Sequence, residues 1–193
     1  MPAEQANQDA ALQACTEALL RADDRRMDCL RAARALALPD WALGAGFVRN
    51  LIWDHLHRKP APTPLNDIDL IYLDSADPTG LKEADHEVWL NARLPDQRWE
   101  VRNQTRMHVR QQVPPFGSTL EALGHWVEIP TCIGVRLLAD DGFEWLAPYG
   151  FAPNWSLRVD PNPRCRQESR VFTERVKAKG WQQIWPDLVV NWP

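Results

Sequence analysis

Gly44 and Gly46 flank a single alanine between the apolar run Trp41-Ala42-Leu43 and a segment whose apolar residues, Val48, Leu51, Ile52 and Leu56, recur at helical spacing. So abrupt a change of period needs residues that tolerate unusual backbone angles, which dictates a strand, a sharp turn and a helix over 48–57. Three prolines in Lys59-Pro60-Ala61-Pro62-Thr63-Pro64 then remove three backbone donors, so this stretch is neither helix nor central strand but a semi-rigid connector. Beyond it, Asp67 to Asp74 has strong β character, residues 80–94 a helical pattern, and Trp99-Glu100-Val101-Arg102 an extended alternation. The middle of the chain is therefore a strand-helix-strand unit preceded by a strand-turn-helix.

On either side the patterns are simpler. Residues 7–20 and 24–37 read as two helices, the second ended by Pro39. Ser118 and Glu121 suit a capping box for a short helix reaching His125. Residues 131–138 and 143–147 flank Asp140-Asp141-Gly142 as a hairpin. A further helix is expected at 168–179, before a segment holding Trp181, Trp185 and Trp192. The expected fold class is α/β (α+β): a short, mixed, twisted sheet of four or five strands backed by helices, its site on the open face. The expected organisation is one domain with a core over 38–150, a helical N-terminal addition over 1–37 and an irregular, Trp-rich C-terminal extension over 151–193.

Several functional classes are disfavoured by composition. The start, Met1-Pro2-Ala3-Glu4-Gln5, has neither the basic residues nor the apolar run of a secretory signal, and no segment suits a bilayer, which points to a cytoplasmic protein with no membrane partner. Cys15, Cys29, Cys132 and Cys165 lack Cys-x-x-Cys spacing, which argues against a zinc site. A net charge of −4 gives no overall attraction to nucleic acid. Asn103-Gln104-Thr105 and Asn154-Trp155-Ser156 match a glycosylation tripeptide that has no meaning in such a compartment.

The chemistry lies in Asp67 and Asp69. Residues two apart on a strand share a face, so the two carboxylates project together and repel unless a cation lies between them. Hard oxygen donors suit Mg²⁺ or Mn²⁺. An isolated Asp-x-Asp is more often an acidic strand end, but this pair follows Gly46 by 21 residues. That glycine opens a helix whose amides and dipole attract phosphate. A dinucleotide-binding fingerprint has an acid at a comparable distance, yet its third glycine position is Arg49 here, and it explains only one of the two aspartates.

Gly44-Ala45-Gly46-Phe47-Val48-Arg49-Asn50 with Asn66-Asp67-Ile68-Asp69 resembles the Gly-Gly-x-Val-Arg-Asp and Asp-Ile-Asp signature in the head domain of CCA-adding enzymes, within the polymerase-β superfamily. Over about 35–150 the chain resembles stand-alone bacterial nucleotidyltransferase-like proteins, through Ala45–Asn50, Asp67–Asp74, Trp99–His108, Gly134–Leu137 and Ala147–Gly150. The resemblance implies a polymerase-β-type fold and a nucleoside triphosphate as partner. It implies that Gly44, Ala45 and Gly46 hold phosphates, that Asp67 and Asp69 bind Mg²⁺ or Mn²⁺, and that Glu100 is a third carboxylate. Arg49 and Arg102 are expected to offset triphosphate charge, with solvation or an ion pair to Asp54 as the alternative for Arg49. The sequence departs from the signature at Ala45 and Asn50, and CCA addition is not expected.

The acceptor is expected to be a small molecule rather than nucleic acid. Competing readings are an inactive nucleotide-binding relative and an interaction module built on the basic stretch 158–179, whose seven Lys or Arg against three acids suit a solvated helix face. His108 reads as a hydrogen-bonded structural residue more readily than a base. His55 and His57 face different ways, and Asp74 reads as a strand-end residue.

Overall fold

A computed structural model describes residues 2–165 and 169–193. Two helices open the chain: α1, Pro2–Arg21, and α2, Asp24–Ala35, whose N-cap Asp23 accepts the Arg26 amide at 3.0 Å. Helix α2 stops two residues short of the expected end. Leu38 precedes proline, which disfavours helical angles there, and Ala37 turns the chain out with φ 51°.

Strand β1, Ala42–Gly44, enters the turn at Ala45, and helix α3, Gly46–Leu56, starts at the second glycine itself. Strand β2, Ile68–Tyr72, and strand β3, Trp99–Asn103, pair in parallel, which requires the crossover supplied by helix α4, Glu83–Arg93. That helix begins later than the sequence pattern indicates. The Asp77 carboxylate accepts the amides of Gly80, Leu81 and Lys82 at 3.1–3.3 Å and holds residues 77–82 as a loop.

Short helices α5, His108–Gln111, and α6, Thr119–Leu123, lead to the hairpin of β4, Gly134–Leu137, and β5, Phe143–Leu146. Ser118 caps α6 by accepting the Glu121 amide, but the Glu121 carboxylate bonds the Gly117 amide at 2.7 Å rather than that of Ser118. Then come α7, Ala152–Trp155, β6, Arg158–Val159, α8, Ser169–Lys179, α9, Trp181–Ile184, and β7, Val189–Val190, which pairs in parallel with β6. The first residue of the expected helix at 168–179 lies outside the described residues.

The main sheet runs β3-β2-β1-β4-β5, with β1 antiparallel to both neighbours. Its two faces differ sharply. Leu43, Ile68, Leu70, Tyr72, Val101 and Val135 point into the main core beneath the helices. The opposite face carries only a small cluster of Ala42, Ile71, Leu123 and Leu146 with Trp126, so the β2–β3 half remains open.

Both terminal segments are built into the core. Trp155 donates its indole N–H to Thr16 at 3.0 Å, Trp53 meets Trp181 and Trp185 edge-on at 5.6 and 5.1 Å, and Trp185 donates to Asp54 at 2.8 Å. The tail holds the expected helix among short helices, two-residue strands and irregular stretches, and its tryptophans help bury α3. Asn103 and Asn154 are buried, so neither glycosylation tripeptide is accessible. Among the described residues no helix is long and apolar enough to cross a membrane.

Candidate active site

A cleft of about 800 Å³ lies on the open half of the sheet, lined among others by Ala45, Gly46, Arg49, Asp67, Asp69, Glu100 and Arg102. Strand alternation and register assemble it. Ile68, Leu70, Trp99 and Val101 enter the core, which leaves Asp69 and its direct parallel neighbour Glu100 facing the cleft, with Ile71 beside Arg102 one step on. The pairing of Leu43 with Leu70 brings the glycine turn beside the start of β2, where Asp67 precedes the strand.

The turn itself is distorted. Ala45 has φ 51° and ψ −119°, a combination suited to glycine. At Gly44 a β-carbon would meet the Trp126 ring and the Ile133 carbonyl at 3.5 Å, an ordinary packing distance, so the unusual backbone of the turn lies at Ala45. Gly46 opens α3 and gives its amide end to the cleft.

The electrostatics are uneven. Asp69 is pushed up to about 7, first by burial, then by Asp67 and Glu100, with Arg49 and Lys179 acting in the opposite sense. Arg49 is 6% exposed and lowered to about 10, chiefly by burial. Its guanidinium lies 4.5 Å from the Trp181 ring and 5.1 Å from the Trp53 ring, bonds Asn50 Oδ1 at 3.0 Å, and keeps Nε buried without a partner. Neither alternative offered for Arg49 holds. It is not solvated, and Asp54 is occupied by Thr63 and Trp185. Arg102 pairs with Glu87 at 2.8 Å and Glu100 at 3.3 Å, so its charge is already shared.

The remaining sequence candidates lie elsewhere. The His108 ring sits 2.9 Å from the Thr105 carbonyl and does not line the cleft. Nδ1 of His57 lies 2.8 Å from the Trp53 carbonyl, while its Nε2 accepts the Asp187 amide. Asp74 Oδ1 accepts the Ala76 amide at the strand end. Among the described residues no group of three or more His, Cys, Asp or Glu side chains forms a ready-made metal cage.

Reasoning from sequence missed the contribution of the C-terminal segment. Arg175, Lys179 and Trp181 all line the cleft, as do Arg106 and Arg110 from the stretch after β3. Of the basic residues read as one solvated face, Arg158 pairs with Asp160, Arg164 lies over Tyr149 and Lys177 over Trp192, while Arg166 lies outside the described residues. The available signal was the spacing of Arg175 and Lys179, four apart and so on one side of α8. With them the cleft gathers six cations around three carboxylates, a balance suited to a polyanion.

A family model described as nucleotidyltransferase matches residues 31–190, and the chain belongs to that family. A solved NMR structure described as revealing a CCA-adding enzyme head domain is 30% identical, with a TM-score of 0.78 over 89% of this chain and 92% of the other. The curated proteins contain no match. Nucleotidyl transfer, with a nucleoside triphosphate as donor, is thus the general chemistry of the family to which the chain belongs.

Proposed function

We propose that the protein moves a nucleoside monophosphate from a nucleoside triphosphate to a hydroxyl-bearing small molecule, with release of pyrophosphate. The observation that supports this most is the convergence of Asp67, Asp69 and Glu100 with the glycine turn in one cleft of a family fold. The site also fits a divalent cation on its own chemistry: burial, then the neighbouring carboxylates Asp67 and Glu100, push Asp69 up to about 7, so its ionised form lacks a positive ion-pair partner among the described residues. Mg²⁺ is commonly held by one or two carboxylates plus water and phosphate oxygens. Asp67 and Asp69 would hold it. Bound there, it would neutralise the carboxylates and polarise the α-phosphoryl group.

The other roles fall to the chain's own groups. The amides at the start of α3, from Gly46 on, bind phosphate oxygens, with Arg49 Nε as a further donor, whereas the Ala45 amide is taken by the Ile133 carbonyl at 3.1 Å and Gly44 is paired in the sheet. Arg102 orients Glu100 and turns its remaining N–H donors to the cleft. The acceptor oxygen forms its bond to the α-phosphorus while the bond to the β-phosphate bridging oxygen breaks. The bonding pair leaves with pyrophosphate, and the acceptor proton passes to Glu100.

In the test, melting temperature is followed with Mg²⁺ and each common triphosphate, in wild type and in Asp67→Asn/Asp69→Asn. A metal-dependent rise seen only in wild type is expected. No rise with any triphosphate refutes the reading, whereas binding without pyrophosphate release from broad acceptor pools would favour an inactive relative.

A further inference from the structure

We infer that Lys179, on a helix that Arg175 anchors through Glu128, is a binding residue for the β- and γ-phosphates, so the C-terminal segment completes the leaving-group side of the site. This rests on the nucleotidyl-transfer reading above and extends it to residues with no role so far. The phosphate end of the cleft is marked by two independent features: the amide end of the eleven-residue helix α3, and Arg49, which is 6% exposed with Nε unpartnered. Lys179 stands over that end. It lines the main cleft and also an adjoining recess of about 50 Å³ that it shares with Gly46, Asn66 and Asp67.

The local fold explains why the lysine sits there. Helix α8 is anchored on its inner side by buried Phe172 and Val176, and Arg175 is held by the fully buried Glu128 carboxylate at 2.8 Å. Four residues on, Lys179 follows on the same side of the helix. Gly180, at φ 59°, then turns the chain so that Trp181 enters the core and forms the surface against which Arg49 lies.

Among the described residues Lys179 has no ion pair, whereas Arg102 and Arg106 are already matched by Glu83, Glu87 and Glu100. When the α-phosphorus bond breaks, the bridging oxygen becomes a terminal oxygen of pyrophosphate and gains negative charge. An unengaged ammonium at that end acts where the charge develops.

The probe is tripolyphosphate, which carries the phosphate chain of every triphosphate without a base, titrated calorimetrically into the full-length protein with Mg²⁺. Lys179→Gln is expected to weaken its binding about tenfold. Lys179→Arg should retain most of the affinity, and Lys177→Gln, the same charge change over Trp192, all of it. Mn²⁺ binding without phosphate should be unchanged in all three variants. Wild-type affinity in Lys179→Gln, or equal weakening in Lys177→Gln, overturns the inference. Wild type that binds Mn²⁺ through Asp67 and Asp69 but no tripolyphosphate overturns it while leaving the metal site standing. Absence of Mn²⁺ binding sinks the nucleotidyl-transfer reading and this inference with it.

Discussion

Replacing Asp69 by asparagine is expected to stabilise the metal-free protein while abolishing its response to divalent cations. Burial and the neighbouring Asp67 and Glu100 move this carboxyl from 3.8 to about 7. At about 1.36 kcal/mol per pKa unit the displacement corresponds to about 4 kcal/mol, and solvent reaching the partly exposed, coupled carboxylate reduces this to about 2 kcal/mol. The sign follows from proton counting. Between about pH 4 and pH 7 the folded state keeps a proton that the unfolded chain has released, so stability falls as pH rises through that window. Above it the full cost of an ionised Asp69 is present, and Asp69→Asn removes that cost. Urea unfolding in chelator should therefore show the variant more stable by about 2 kcal/mol near pH 8 and the two curves converging near pH 4. Taking the difference between proteins cancels the other titrating groups. A variant less stable at pH 8, or one with an unchanged pH slope, would refute the account of crowded carboxylates.

Further outcomes follow from other parts of the molecule. Ala45→Val puts a β-branched residue at φ 51° and should lose about 2 kcal/mol or more in urea unfolding, whereas Ala45→Gly should be tolerated. Arg49→Met removes a buried charge whose Nε has no partner, so it should weaken triphosphate binding about tenfold or more in calorimetry while costing little stability. Trp185→Phe breaks the 2.8 Å bond to Asp54 and the packing on Trp53, and a loss of about 1–3 kcal/mol by thermal unfolding is expected. Thiol titration of the native protein should find Cys15 accessible but Cys29 and Cys132 unreactive, because burial pushes Cys29 up to about 12 and raises Cys132 as well.

The local elements were legible because their signals are short-range. Glycines around Ala45, three prolines after Lys59 and period-two alternation around Asp69 and Glu100 each constrain a few adjacent residues, and their spacing alone gives strand, turn, helix and a strand-helix-strand unit. From the same alternation followed the shared face of Asp67 and Asp69 and the face of Glu100 on its own strand, while the expectation that Glu100 would stand near them came from the family resemblance. The family signature could be read for the same reason, since its residues lie in two brief segments.

What only tertiary structure decided depends on contacts between distant segments. Nothing local tells that Trp181 and Trp185 pack against Trp53, that Arg49 is buried among them, or that Asp54 is occupied by Thr63 and Trp185. A basic helix reads as solvated until one of its sides is shown to face the carboxylates, so Arg175 and Lys179 looked like surface charge. The sequence by itself thus determined the turn and the carboxylate pair, which the backbone periods dictate. Folding determined which remote cations and aromatic rings close around them, because burial and charge balance are properties of the packed chain.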